Sequence, residues 1–308
     1  MSSFFHTVNG VRQGGVLSPI LFTLYIDVLL QRLQNCGAGC MVGCEYFGVL
    51  CCADDITLLS PTVSGLQKML KICEHFGGEY DIKYNSKKTV CMCFYAKPIQ
   101  TDNIGVKLYG KRLPWCNSAK HLGNIVRADL KDDDDIQLKK CDFIGRTNSL
   151  IANFKDVPRS VCSEVFNSQC CHLYGTDTWN LNCKKVEDFC VTWRKAVRKI
   201  WNLPNNARSA ILPYLANSDN MEIQLQTRTR RLRSAVTKSN NERLKSLLFM
   251  GSYFQPEIVL QQPNEHNKAV SDRAGLVKEL TKSLENELEI KGFEYNELKE
   301  LINFICQF

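Results

Sequence analysis

The chain has 308 residues, 44% apolar and 23% charged, with a net charge of +7 and a pI near 8.6. That length fits one large domain or two ordinary ones, and the composition excludes a chain disordered throughout. Moderate basicity permits a polyanionic partner without requiring one. Sixteen cysteines without a secretory signal before them point to reduced thiols in an intracellular protein, cytoplasmic or nuclear. The longest apolar stretch, Val16 to Leu30, is broken by Pro19 and Asp27 and is too short to span a bilayer.

In chain order, the first feature is a glycine-rich loop, Gly10-Val11-Arg12-Gln13-Gly14-Gly15. It leads into an expected buried helix with Ser18 as cap and Pro19 in its first turn. Leu21, Phe22, Tyr25, Val28 and Leu29 follow the helical period. Loop amides beside an arginine at a helix N-terminus suit phosphate, though an ordinary glycine-rich connection reads the same way. From Met41 to Leu59 the pattern predicts a hairpin system centred on Cys51-Cys52-Ala53-Asp54-Asp55. Adjacent carboxylates disfavour each other's charge unless a cation lies between them. An acidic turn Asp54-Asp55 at the tip would suit a hard divalent cation; Asp-Asp is equally a polar turn.

Leu66, Met69, Leu70, Cys73 and Phe76 predict an amphipathic helix, with Ser64 as cap and Gly77-Gly78 as its stop. Strands are expected near Asp81–Tyr84 and Thr89–Phe94. Next come Lys111-Arg112-Leu113, His121-Leu122-Gly123 and a run of four aspartates, Asp132 to Asp135. Such a run reads as a solvated segment leading a helix. Helices are expected at 136–154, 160–174 and 184–201. In the last, Val186, Phe189, Cys190, Trp193, Val197, Ile200 and Trp201 form an apolar stripe read as core. Residues 184–233 hold 11 Lys or Arg against 4 Asp or Glu, an excess equal to the whole chain's. Amphipathic patterns recur at 276–288 and 298–305. Cys36, Cys40 and Cys44, and Cys170-Cys171-His172, lack the second ligand pair expected of a zinc site.

Gly10-Val11-Arg12-Gln13-Gly14, Ser18-Pro19, Cys52-Ala53-Asp54-Asp55, Asn85-Ser86-Lys87-Lys88-Thr89 and Leu122-Gly123 together, in this order, resemble the reverse transcriptases of non-LTR, LINE-type retrotransposons. One departure is Cys52, where that family usually has Tyr or Phe. The resemblance implies an α+β fold: a partial polymerase palm over 1–127, an antiparallel sheet with helices on one face. An all-helical thumb-like region over 128–250 and a C-terminal helical segment over 251–308 follow. It implies RNA-directed DNA polymerase chemistry with Mg²⁺ held by Asp54 and Asp55. Lys88, with Lys87 as competitor, would meet the pyrophosphate. Arg12, Gln13, Gly14 and Cys52 would contact template or nucleotide, and Leu122 and Gly123 would grip the primer. Arg194, Lys195, Arg198 and Lys199 would contact the nucleic-acid backbone. The implied partners are an RNA template, a DNA primer or RNA–DNA hybrid, and deoxynucleoside triphosphates, with no membrane. The family also uses an aspartate on a strand before the Gly10–Gly14 loop, and a fingers region. Neither has a counterpart in this sequence, and Asp27 and Asp81 are wrongly placed to substitute. The chain alone is therefore expected to be inactive. The alternative is a non-catalytic nucleic-acid-binding remnant that uses the basic helical region.

Overall fold

The computed structural model describes residues 14–94 and 104–254. Arg12, Gln13 and the expected helices at 276–288 and 298–305 lie outside them. The chain divides into two units, Met1–Ala119 with Arg127–Leu130, and Lys120–Val126 with Lys131–Phe308. Together they mix helices with small antiparallel sheets, an α+β composition.

The first unit is built on two helices, α1 (Ser18–Gln34) and α2 (Val63–Glu79). Helix α1 buries Ile26, Leu29 and Leu33 against Met69, Cys73 and Phe76 of α2. Each such side chain contributes about 1.5–3 kcal/mol when removed from water. The expectation that Leu21, Tyr25 and Val28 share the buried face of α1 with Leu29 is corrected. Leu21, Tyr25 and Val28 lie on its exposed side with Leu17, Ile20 and Leu24. This helix is apolar almost all round, so periodicity alone could not say which face its neighbours cover. Its cap is also corrected: Leu17 holds the cap position without a side-chain bond, and Ser18 is already helical.

Helix α2 is capped by Thr62, not Ser64; the extended Thr62 accepts from Gly65 N–H at 3.1 Å through Oγ1. Nor do Gly77 and Gly78 stop it. Gly77 is buried in the last turn, where the returning chain donates Ile82 N–H to its carbonyl at 2.9 Å. A Cβ on Gly77 would stand 2.5 Å from Ile82 O, so close backbone approach demands glycine there. Arg32 ties the helices together, pairing with Glu79 at 2.5 Å and lying over the rings of Phe76 and Tyr80.

Strands β1 (Met41–Val42), β2 (Glu45–Tyr46), β3 (Val49–Cys52), β4 (Asp55–Leu58), β5 (Lys107–Leu108), β6 (Lys111–Arg112), β7 (Ser118–His121) and β8 (Asn124–Arg127) follow. Among the described residues they pair only as four two-stranded ribbons, each strand with the next. One continuous sheet was expected. The strands foreseen at 81–84 and 89–94 are replaced by a turn, with one isolated bridge between Cys91 and Trp115. Asp81 is left-handed, with φ 55°, and Asn85 draws the chain round. The Asn85 carbonyl accepts from Lys88 and Thr89 N–H, and its Oδ1 accepts from Lys87 N–H at 3.0 Å. Asn side chains compete with a strand ladder in this way.

The second unit is helical: α3 (Asp133–Asn153), α4 (Arg159–Val165), α5 (Lys184–Ile200), α6 (Leu212–Ala216), α7 (Met221–Lys238) and α8 (Glu242–Phe254). Where a helix was expected over 160–174, α4 passes into a wider π turn at Phe166–Cys170 and ends. Helix α5 is the spine: Val186, Phe189, Cys190, Trp193, Val197, Ile200 and Trp201 are all buried, as their spacing predicts. Phe189 meets Phe143 and Trp179 edge to face at 5.6 and 5.9 Å.

Candidate functional site

The β3–β4 hairpin pairs Val49 with Leu58, Leu50 with Thr57, Cys51 with Ile56 and Cys52 with Asp55. Side chains alternate across a strand, so this register sets two faces. Val49, Ile56 and Leu58 pack on the α1–α2 core. Leu50, Cys52, Thr57 and Asp55 take the opposite face. The two-residue turn is Ala53-Asp54, not Asp54-Asp55. Ala53 is left-handed, with φ 52°, and Asp55 already belongs to β4. One carboxylate therefore stands in the turn and the other beside Cys52 on the outward face. Both aspartates are exposed. Burial, then the neighbouring Cys52 and Asp54, push the Cys51 thiol pKa up. The register decides this arrangement, because a slip of one residue would turn Asp55 toward the core.

Two oxygen-bearing side chains on a paired hairpin fit a hard cation that takes one or two protein carboxylates and completes its shell with water or phosphate. Among the described residues, no group of three His, Cys, Asp or Glu is placed to hold a metal. Lys87 and Lys88 are both exposed on the Asn85 turn, and the structure pairs neither with Asp54 or Asp55. Gly14 is exposed with φ 79°, and among the described residues nothing lies within 4 Å of where its Cβ would stand.

The Leu122-Gly123 pair forms the turn between β7 and β8, with φ 47° and 83°. Two left-handed residues in a two-residue loop match the natural twist of a hairpin. Leu122 is 41% exposed. Of the basic residues on α5, Arg194 pairs with Glu222. Arg198 donates to the Ala207 carbonyl at 2.8 Å and to Ser209 Oγ at 2.8 Å. Lys199 donates to Asn148 Oδ1 at 3.2 Å, and Lys195 is exposed. Burial and Arg194 lower the Arg198 pKa.

Against known families, residues 2–147 match the model described as "Reverse transcriptase (RNA-dependent DNA polymerase)". Residues 2–147 belong to a LINE-type reverse transcriptase domain. Curated relatives agree. Over 66 residues the chain is 46% identical to the Pol polyprotein of a type-1 retrotransposable element R2 of Nasonia vitripennis, covering 21% of this chain and 6% of that protein. Over 99 residues it is 35% identical to that of the type-2 element R2DM of Drosophila melanogaster, covering 32% and 9%. A longer match, 24% identical over 251 residues, is to a probable RNA-directed DNA polymerase from transposon BS of the same fly, covering 78% and 27%. The chain thus spans only a small part of each relative.

Beyond these motifs, the structure shows a cluster that the sequence did not single out. Asp135, expected to be solvated, is 3% exposed. It accepts from Ile125 N–H at 2.9 Å, Trp179 Nε1–H at 2.8 Å and Lys139 Nζ at 2.6 Å. Its neighbours in the run are also engaged: Asp132 accepts from Asn180 N–H at 2.8 Å, and Asp133 lies 3.9 Å from Lys185. The available signal was the spacing of Asp135 and Lys139, four apart on one helix face. The long-range partner, Trp179, left none. Among the described residues, no helix is long and apolar enough to cross a membrane.

Proposed function

We propose that this chain supplies the nucleotidyl-transfer hairpin and the primer-side elements of an RNA-directed DNA polymerase. Its first unit would serve as part of a palm and its helical unit as a thumb. The observation that carries this is the β3–β4 register, which leaves Asp54 in the turn and sets Asp55 on the outward face of β4, within a region matched to reverse transcriptases. Asp54 and Asp55 would hold Mg²⁺. When bound there, divalent cations stabilise the attacking and leaving oxygens of an in-line phosphoryl transfer. Arg12, Gln13, Gly14 and Cys52 would line the template and nucleotide. Lys88 would place its ammonium by the departing pyrophosphate. Leu122 and Gly123 would meet the primer. Lys195, with Arg230 and Arg231 on the exposed part of α7, would follow the duplex backbone, since Arg194 and Arg198 are occupied within the unit.

We take the 308 residues alone to be insufficient for chain extension. The resemblance implies a further metal-ligating aspartate beside Asp54 and Asp55, and among the described residues no group of three metal-ligating side chains forms there. Loss of one partner from a preorganised site removes most of its activity. The basic surface of α7 keeps a second reading in play, a nucleic-acid binder without catalysis. The two are tested together by incubating the chain with an RNA template, a DNA primer, deoxynucleoside triphosphates and Mg²⁺ or Mn²⁺, and by titrating the same duplex at rising salt. The expected outcome is salt-dependent binding without template-dependent product. Product would overturn the insufficiency. No binding at low salt would overturn both nucleic-acid readings.

A further inference from the structure

Three successive residues at the tip of the β7–β8 hairpin are each fastened to a neighbour. Gly123 lies so close to the Tyr174 ring that a Cβ there would stand 3.1 Å from it. The side chain of Asn124 crosses the backbone of Gly175, where a Cβ would fall 2.0 Å from Asn124 Oδ1. That oxygen accepts from Lys139 Nζ at 2.9 Å. Ile125 donates its N–H to Asp135 Oδ1 at 2.9 Å.

The fasteners are joined to one another. Lys139 Nζ bridges both oxygens of Asp135, at 2.7 and 2.6 Å, and lies 5.7 Å from the centre of the Trp179 ring. Trp179 donates Nε1–H to Asp135 Oδ2 at 2.8 Å and closes the short helical turn Thr176–Thr178 that follows Gly175. A buried carboxylate costs free energy unless paired and hydrogen-bonded. Here each of its contacts leads to the hairpin tip or to a residue that holds the tip. The tip itself carries Leu122, a large exposed side chain, in a left-handed conformation that only glycine adopts easily. Strain of this kind persists where surrounding structure over-determines it, and it collects at ligand contacts.

We propose that Asp135, Lys139 and Trp179 are positioning residues for the Leu122–Gly123 turn, fixing its backbone in the shape that meets the 3′ end of a primer strand. The proposal rests on the reading of Leu122 and Gly123 as primer contacts. Asp135 and Trp179 act through Ile125 and the Gly175 segment, and Lys139 acts through Asn124. None of the three touches the nucleic acid. Gly175 belongs to the same device, because a side chain there would expel Asn124 from its seat.

The test uses the full 308-residue chain, with Lys139→Met, Lys139→Arg and Gly175→Ala. Three quantities are measured: amide hydrogen exchange over residues 120–126, affinity for an RNA–DNA hybrid with a recessed DNA 3′ end, and affinity for a blunt hybrid of equal length. In the parent chain the recessed end binds more tightly. Lys139→Met and Gly175→Ala speed exchange at the tip and weaken recessed-end binding about tenfold, the size expected from one charged hydrogen bond. They leave blunt-hybrid binding unchanged, and Lys139→Arg restores most of the loss. Unchanged exchange in both Lys139→Met and Gly175→Ala would overturn the proposal. So would faster exchange with parental recessed-end affinity, or equal loss on both duplexes. A parent chain with no preference for the recessed end would overturn the primer reading itself, and that result needs no variant.

Discussion

Replacing Asp135 with alanine strands three donors in the second unit: Ile125 N–H, Trp179 Nε1–H and the Lys139 ammonium. Hydrogen bonds to a charged group contribute about 1.5–3 kcal/mol each, so three suggest about 4.5–9 kcal/mol. Desolvation of the carboxylate and ammonium offsets several kcal/mol of that, and removing one partner of a buried pair costs about 3–5 kcal/mol. The lower figure is the better guide, because the Lys139 side chain is still 13% exposed and can turn partly to water. Asp135→Ala is therefore expected to destabilise the second unit by about 3 kcal/mol. Lys139→Met, made on top of it, adds little, since the stranded charge is then gone. Coupling between the two changes should exceed about 1 kcal/mol. Urea unfolding followed by tryptophan fluorescence reads this directly, because Trp179, Trp193 and Trp201 all lie in the second unit. A loss below about 1 kcal/mol, as for a surface pair, would refute the reasoning. Strictly additive single losses would refute it too.

Adjacent glycines of α2 should respond with opposite signs. Gly77→Ala forces a Cβ to 2.5 Å from Ile82 O and is expected to cost about 1–3 kcal/mol. Among the described residues Gly78→Ala meets nothing within 4 Å, and it should gain about 0.5–1 kcal/mol in helix propensity; thermal unfolding of both variants checks the pair. Asp132 has its pKa raised, chiefly by burial, against the Asn180 N–H bond that lowers it. A raised carboxylate pKa contributes stability that is present below the unfolded value of 3.8 and lost as pH rises through the folded value. Asp132→Asn keeps an acceptor for Asn180 and should stabilise the chain at pH 7, with the gain vanishing as the pH falls toward 3.8. Denaturant titrations at the two pH values would show an equal gain at both if this is wrong.

Much of the helical unit was legible because α5 follows one rule. Its apolar residues recur at helical spacing on a single side, with charges elsewhere, so periodicity and burial coincide. Helix α1 shows where that rule stops. It carries apolar residues on several sides, and only the positions of α2, β3 and β4 select Ile26, Leu29 and Leu33. The Asp54-Asp55 hairpin was legible as a motif, but its register was not. The left-handed Ala53 moves the turn back by one residue and gives the two aspartates different settings. Asp135 was misread for a related reason. A run of acids looks solvated until a tryptophan 44 residues away supplies a donor, and no local pattern reports such a partner. The basic residues of α5 were seen as a charge excess, whereas Glu222, Ala207 and Ser209 engage two of them within the unit.

The central proposal is that Asp54 in the turn and Asp55 on the outward face of β4 hold a divalent cation between them. Mn²⁺ titration followed by electron paramagnetic resonance, with a deoxynucleoside triphosphate and a recessed RNA–DNA hybrid present, tests it most directly. The account predicts protein-dependent Mn²⁺ binding that is lost in Asp54→Asn/Asp55→Asn, with hybrid affinity in metal-free buffer unchanged. Equal Mn²⁺ binding by the parent chain and the double variant would contradict it.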